Sequence, residues 1–125
     1  MSTPPPDDSI ARLLRSLVLE VFDERDAARR ADAIPRVFAT DAEFIDSTGT
    51  HRGKADIDAA VVKIHARFPG YRFQLTGEPQ TVPNGGRITW AFGPPEEAPR
   101  VSGMDIAVVK DGRVTLLITF LDPKN

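Results

Sequence analysis

The run Ser102–Asp122 constrains this chain more than any other part of it: two long apolar strands joined by Asp111-Gly112. An Asp-Gly pair between apolar runs supplies the positive φ angles of a tight turn, so residues 100–110 and 113–122 are expected to form an antiparallel hairpin. Strand alternation puts Gly103, Asp105, Ala107 and Val109 on one face and Met104, Ile106 and Val108 on the other. The first set is small apart from its acid, as expected of a face that lines a cavity. An ionised carboxylate on a buried face is costly unless paired. Asp105 is therefore expected either to stay near neutral and hold or pass a proton, or to pair with an arginine such as Arg87 or Arg100.

Upstream, Ile10, Leu13, Leu14, Leu17, Val18, Val21 and Phe22 recur at helical spacing and predict an amphipathic helix from about Ser9 to the late twenties, with Asp7, Asp8 or Ser9 as its cap. A second helix is expected over Ala31–Ala39, with Pro35 in its first turn, where the missing N–H costs little. Glu43–Asp46 reads as a short strand, Thr50–Arg52 as its return, and Ala55–Phe68 as a third helix ended by Pro69-Gly70. From Tyr71 the period changes to two. Tyr71, Phe73 and Leu75 alternate, Pro83–Gly86 turns, and Ile88, Trp90 and Phe92 alternate again. Gly93–Pro99 is too rich in Gly and Pro for a central strand and reads as a loop. The order is that of an α+β layer fold in which helices cover one face of a curved antiparallel sheet.

Length and composition limit the function classes. The 125 residues suit one domain, and neither repeat nor linker divides them. Sixteen basic against 18 acidic residues leave no surplus for nucleic acid or an acidic membrane. With no cysteine and two histidines, thiolate chemistry is excluded and a His-rich metal cluster is not expected. No apolar run reaches the ~20 residues of a membrane span. Met1–Asp8 carries no secretory pattern and reads as a mobile, polyproline-like lead, so the chain is expected in the cytoplasm, without cofactor.

Three passages carry a resemblance. Phe38–Asp46, Gly49–Ile57, and Gly103-x-Asp105 with the following Asp-Gly-Arg-Val and Phe120–Asp122 resemble the nuclear-transport-factor-2-like superfamily, and within it the SnoaL-like, polyketide cyclase-like group. The resemblance covers about Ile10 to Asp122. It implies a cone-shaped curved antiparallel sheet with three N-terminal helices, and family members commonly dimerise through the outer sheet face. It also implies roles for two acids. By likeness to the ketosteroid isomerase branch, Asp46 stands where a general base ends the first strand. Asp105 stands where a protonated acid holds an oxyanion. The third element of that branch is a Tyr on the first helix; the matching position falls at or near Phe22, so steroid isomerisation itself is not expected.

Each candidate also has a plainer reading. Asp46 can simply cap the turn Ser47-Thr48-Gly49. His51, near Asp46, can assist in binding or proton transfer or lie exposed in a loop. His65 sits on the apolar side of the third helix, where a core histidine is the commoner case. Trp90, Phe92, Phe73, Tyr71 and Phe120 suit core or interface, and Trp90 suits a stacking wall for a planar ligand. The expected site is Asp46 and Asp105 as acid/base pair, with Phe22, His51, Trp90 and Phe120 against the substrate and no metal. The expected function is cofactor-independent acid/base chemistry on a small apolar carbonyl compound, isomerase- or cyclase-like, in a homodimer. The alternative is a non-catalytic ligand-binding or assembly domain. Hydrolysis of an epoxide or ester through Asp46 or Asp122 with an arginine ranks below both.

Overall fold

The computed structural model describes residues 8–123. Of the expected N-terminal lead, 1–7 lies outside the described residues, and Asp8 already opens the first helix. The elements are α1 (Asp8–Ser16) continued by a π-helical segment (Leu17–Phe22), α2 (Ala27–Val37), β1 (Phe38–Asp46), β2 (Gly49–Arg52), α3 (Lys54–Arg67), β3 (Arg72–Leu75), β4 (Gln80–Val82), β5 (Gly85–Gly93), β6 (Val101–Lys110) and β7 (Arg113–Leu121).

The apolar stripe read from the first helix is the one that is buried: Ile10, Leu14, Leu17, Val18, Val21 and Phe22. The helix is shorter than expected and ends at Phe22, where the backbone N–H of Asp23 reaches back to Val18 O at 2.8 Å. An apolar stripe cannot distinguish a π-helical last turn from an α-helical one, so the early stop was not visible in the periodicity. The Asp23 carboxylate then accepts from Arg72 Nη2 at 2.7 Å and from the Phe73 backbone N–H at 2.8 Å, which fastens β3 to the helix end.

The second helix starts four residues earlier than expected, at Ala27, because Asp26 caps it by accepting from the Arg29 N–H at 2.8 Å. Pro35 consequently lies in its last turn rather than its first. β1 begins at Phe38, directly after this helix, and carries an irregularity between Phe38 and Glu43. β4 was not expected; three residues between two prolines leave no alternation to read.

Seven strands form one curved, unclosed sheet in the order β2-β1-β7-β6-β5-β3, with β4 also on β5. All pairs are antiparallel except β1 with β7, which is parallel, so the sheet is mixed. That pairing joins the first strand to the last, and local sequence carries no signal for it. The helices cover the concave face, where Phe44, Leu117, Ala107, Ile88, Trp90 and Phe92 are buried. Asp111 (φ 52°) and Gly112 (φ 78°) form the expected left-handed turn of the last hairpin.

Candidate functional site

The predicted face of β6 is confirmed: Gly103, Asp105 and Ala107 are buried, while Ile106 and Val108 are exposed. Asp105 is 4% exposed. Its oxygen Oδ1 accepts two hydrogen bonds, from Trp90 Nε1 at 3.1 Å and from Thr119 Oγ1 at 2.7 Å. Burial pushes this carboxyl up to about 6, against the opposing effect of the Thr119 and Trp90 hydrogen bonds. Neither Arg87 nor Arg100 pairs with it; Arg87 donates to Gln80 and Arg100 to Glu97.

The other oxygen, Oδ2, has no hydrogen-bond partner among the described residues. No fully buried side-chain nitrogen or oxygen among those residues is left unpartnered. Oδ2 therefore keeps a small share of open surface. When Asp105 is neutral, a proton on Oδ2 leaves both hydrogen bonds to Oδ1 in place. The group can then donate one hydrogen bond outward.

Trp90 reaches Asp105 because the residue opposite it on β6 is Gly103. A Cβ there would stand 2.7 Å from Trp90 Cζ2 and 2.5 Å from the Phe120 carbonyl oxygen. Trp90 packs in turn edge-on against Phe73, and Phe22 packs edge-on against both Phe73 and Phe44. Phe22 thus belongs to an aromatic floor under the two acids, 6% exposed and not open for contact.

Asp46 lies at the end of β1, on the same face as Phe44 by alternation. One residue beyond the parallel pair Ile45–Ile118 stand Asp46 and Thr119, and Thr119 faces Asp105 on β6. The two acids therefore sit two strands apart on the concave face, roughly 10 Å between backbones from the ordinary strand spacing. Asp46 also makes the turn cap expected on the plainer reading: its Oδ1 accepts from Thr48 N at 2.9 Å and Thr48 Oγ1 at 2.6 Å. His51 Nε2 lies 3.3 Å from the same oxygen. Burial raises Asp46, but the Thr48 and His51 hydrogen bonds and the charge of His51 outweigh it and hold the group below the usual carboxylate value. The side chains of Asp46 and His51 are 17% and 23% exposed, and the His51 ring stacks on Phe44.

Phe120 does not join this group. It is 54% exposed and pairs with Met104 on the outer face. A two-residue turn continued without interruption pairs Phe120 with Gly103, on the concave side. An irregularity between Val108 and Val109 shifts the register by one, and a one-residue slip moves every later side chain to the opposite face. The same slip brings Thr119, which the sequence reading missed, against Asp105. Asp122 accepts from Ser102 Oγ at 2.6 Å and has no arginine partner among the described residues, so the hydrolase arrangement is not assembled. His65 is half-buried at the edge of the core, donating from Nε2 to the Phe22 carbonyl at 2.7 Å, and burial lowers its pKa.

Two hollows stand out, and neither borders Asp46 or Asp105. One of about 430 Å³ lies between the π-helical segment and α2, lined by Glu20, Glu24, Arg29, Asp32 and Arg36 among others. The second, of about 10 Å³, lies beside Arg72 and Gly93. Among the described residues no group of three or more His, Asp or Glu is placed to hold a metal ion, and no helix is long and apolar enough to cross a membrane.

Residues 18–117 match the SnoaL-like domain family. No curated protein matches the chain in sequence. Among solved structures, a candidate isomerase of the SnoaL-like family from Agrobacterium tumefaciens superposes with a TM-score of 0.85 at 25% identity, covering 93% of this chain and 99% of that one. A candidate ketosteroid isomerase from Kribbella flavida gives 0.71 at 17% identity over 98% and 84% of the two chains. A candidate SnoaL-like polyketide cyclase from Jannaschia sp. CCS1 gives 0.77 at 12% identity over 98% and 91%. The last two show likeness of fold.

Proposed function

The chain belongs to the SnoaL-like domain family, and on that premise we propose that it is a cofactor-independent acid/base enzyme acting on a small apolar carbonyl compound. The single observation that carries this reading is Asp105: a buried acid raised to about 6, both donors on one oxygen, the other oxygen without a partner and not fully enclosed. Below about pH 6 the group is mostly neutral, and a neutral carboxylic acid in that setting donates a hydrogen bond to the oxygen of a developing enolate, as the neutral acid of ketosteroid isomerase does. The Asp46 end of the site, two strands away, takes or relays the proton. The two ends have pKa values pushed in opposite directions, as acid/base pairs require.

The test is α-proton exchange of 2-tetralone in D2O, followed by NMR. The expected result is exchange above the buffer rate that falls at least ~10-fold in Asp105→Ala, from loss of one positioned donor. Full activity in Asp105→Ala contradicts the mechanism.

A second reading is favoured by one observation: the larger hollow lies outside the sheet, away from both acids. On that reading the domain binds or assembles without catalysis. The proposal also includes a homodimer through the outer sheet face, supported by the exposure of Ile106, Val108 and Phe120 there, and a cytoplasmic setting.

A further inference from the structure

We propose that His51, through Nδ1, is the proton acceptor of this site, and that Asp46 and Thr48 are positioning residues that fix the required tautomer. This rests on the acid/base reading above and changes which group takes the proton.

Thr48 has one hydroxyl hydrogen, and Oγ1 lies 2.6 Å from Asp46 Oδ1, a carboxylate oxygen that only accepts. That hydrogen is therefore committed to Asp46. Toward His51 Nε2, 3.3 Å away, Thr48 Oγ1 has only lone pairs to offer. Asp46 Oδ1, also 3.3 Å from Nε2, likewise only accepts. Both contacts require a hydrogen on Nε2. A neutral imidazole protonated at Nε2 has its basic lone pair on Nδ1.

Nδ1 has no partner among the described residues, and no fully buried side-chain nitrogen there is left unpartnered, so this atom is open to the surface. The ring cannot swing freely. It stacks on Phe44 with centroids 5.2 Å apart and planes 28° from parallel. Phe44 and His51 are directly opposite on β1 and β2.

Asp46 is the poorer base for a stated reason. Its Oδ1 meets three donors, the Thr48 N–H, the Thr48 hydroxyl and His51 Nε2–H, and each stabilises the anion. A carboxylate so held has little affinity for a proton from carbon. An imidazole is a side chain matched in kind to proton transfer near neutral pH, and a carboxylate on its far nitrogen is the arrangement that orients a histidine base and stabilises its cation. In the step itself the α C–H bond breaks and its proton bonds to Nδ1. The electron pair enters the enolate, whose oxygen Asp105 holds by a hydrogen bond. The imidazolium, paired with Asp46, then returns the proton to carbon or to water.

Two measurements test this. Long-range 1H–15N correlation of the His51 ring at pH 8 is expected to show the Nε2–H tautomer, mixed once Thr48→Val and Asp46→Ala remove the acceptors. A ring protonated at Nδ1 overturns the proposal. In 2-tetralone exchange, His51→Ala is expected to lose at least ~100-fold, the range of a positioned general base. Added imidazole is expected to restore exchange above the imidazole-only background. Exchange that survives His51→Ala and disappears in Asp46→Asn overturns this proposal alone. No exchange by the wild type overturns the acid/base reading and this proposal with it.

Discussion

Trp90 donates its indole N–H to Asp105 at 3.1 Å, across the space left by the missing side chain of Gly103. A tryptophan on one strand thus satisfies an acid on the next, and the glycine between them decides whether the contact can form. Thr119, on the far side, adds the second donor to the same oxygen.

This environment makes stability depend on pH in a particular direction. Unfolded, Asp105 titrates near ~3.9; folded, it titrates at about 6. Below the unfolded value both states hold the proton. Between the two values only the folded state does, so its stabilisation is lost as pH rises and the loss levels off above about 6. The change is about 3 kcal/mol at 1.36 kcal/mol per unit. Asp105→Asn removes the titration. Its stability relative to wild type, from urea denaturation, is expected to improve by about that amount between pH 4 and pH 8. A difference that does not change with pH counts against a raised Asp105.

Thr119→Val keeps the shape of the side chain and removes one donor from Asp105. The Asp105 titration is expected to move further up, because the Thr119 hydrogen bond lowers it. The variant is expected to lose roughly 1–3 kcal/mol at pH 8, where the carboxylate is charged, and less at pH 5. Carboxyl 13C shifts and denaturation at the two pH values check both.

Gly103→Ala introduces a methyl 2.5 Å from the Phe120 carbonyl oxygen and 2.7 Å from Trp90. The carbonyl belongs to the sheet backbone and cannot move alone. A loss of roughly 1–3 kcal/mol is expected from overpacking, with the indole pushed off Asp105. A change in Trp90 fluorescence together with a lower Tm is the readout.

Much of this is legible in the sequence alone. The period-two pattern of β6 assigned Asp105 to the covered face, and the Asp-Gly turn placed the hairpin. The three passages of family resemblance led to the right architecture. Phe120 was misplaced because its face depends on a one-residue register slip near Val108, which leaves no mark in composition. Thr119 was missed for the same reason. The cap by Asp26 and the late position of Pro35 in α2 were readable in principle, since Asp precedes the Ala27-Ala28 start. The parallel β1–β7 pair and the π-helical turn are consequences of tertiary packing, and local sequence does not encode them.

The outer sheet face offers a separate prediction. Ile106, Val108 and Phe120 are exposed on this face of the neighbouring strands β6 and β7. If this face pairs two copies, Phe120→Asp is expected to convert a dimer to a monomer in sedimentation equilibrium, with the fold intact by circular dichroism. A wild type that sediments as a monomer removes the dimer from the proposal.

The most direct test of the central claim is the titration of the Asp105 side-chain carboxyl, read by its 13C shift in the folded protein. A buried acid with both donors on one oxygen predicts a midpoint near 6, absent in Asp105→Asn. A midpoint near ~3.9, the ordinary value for an aspartate in water, contradicts the account and removes the neutral hydrogen-bond donor on which the proposed chemistry depends.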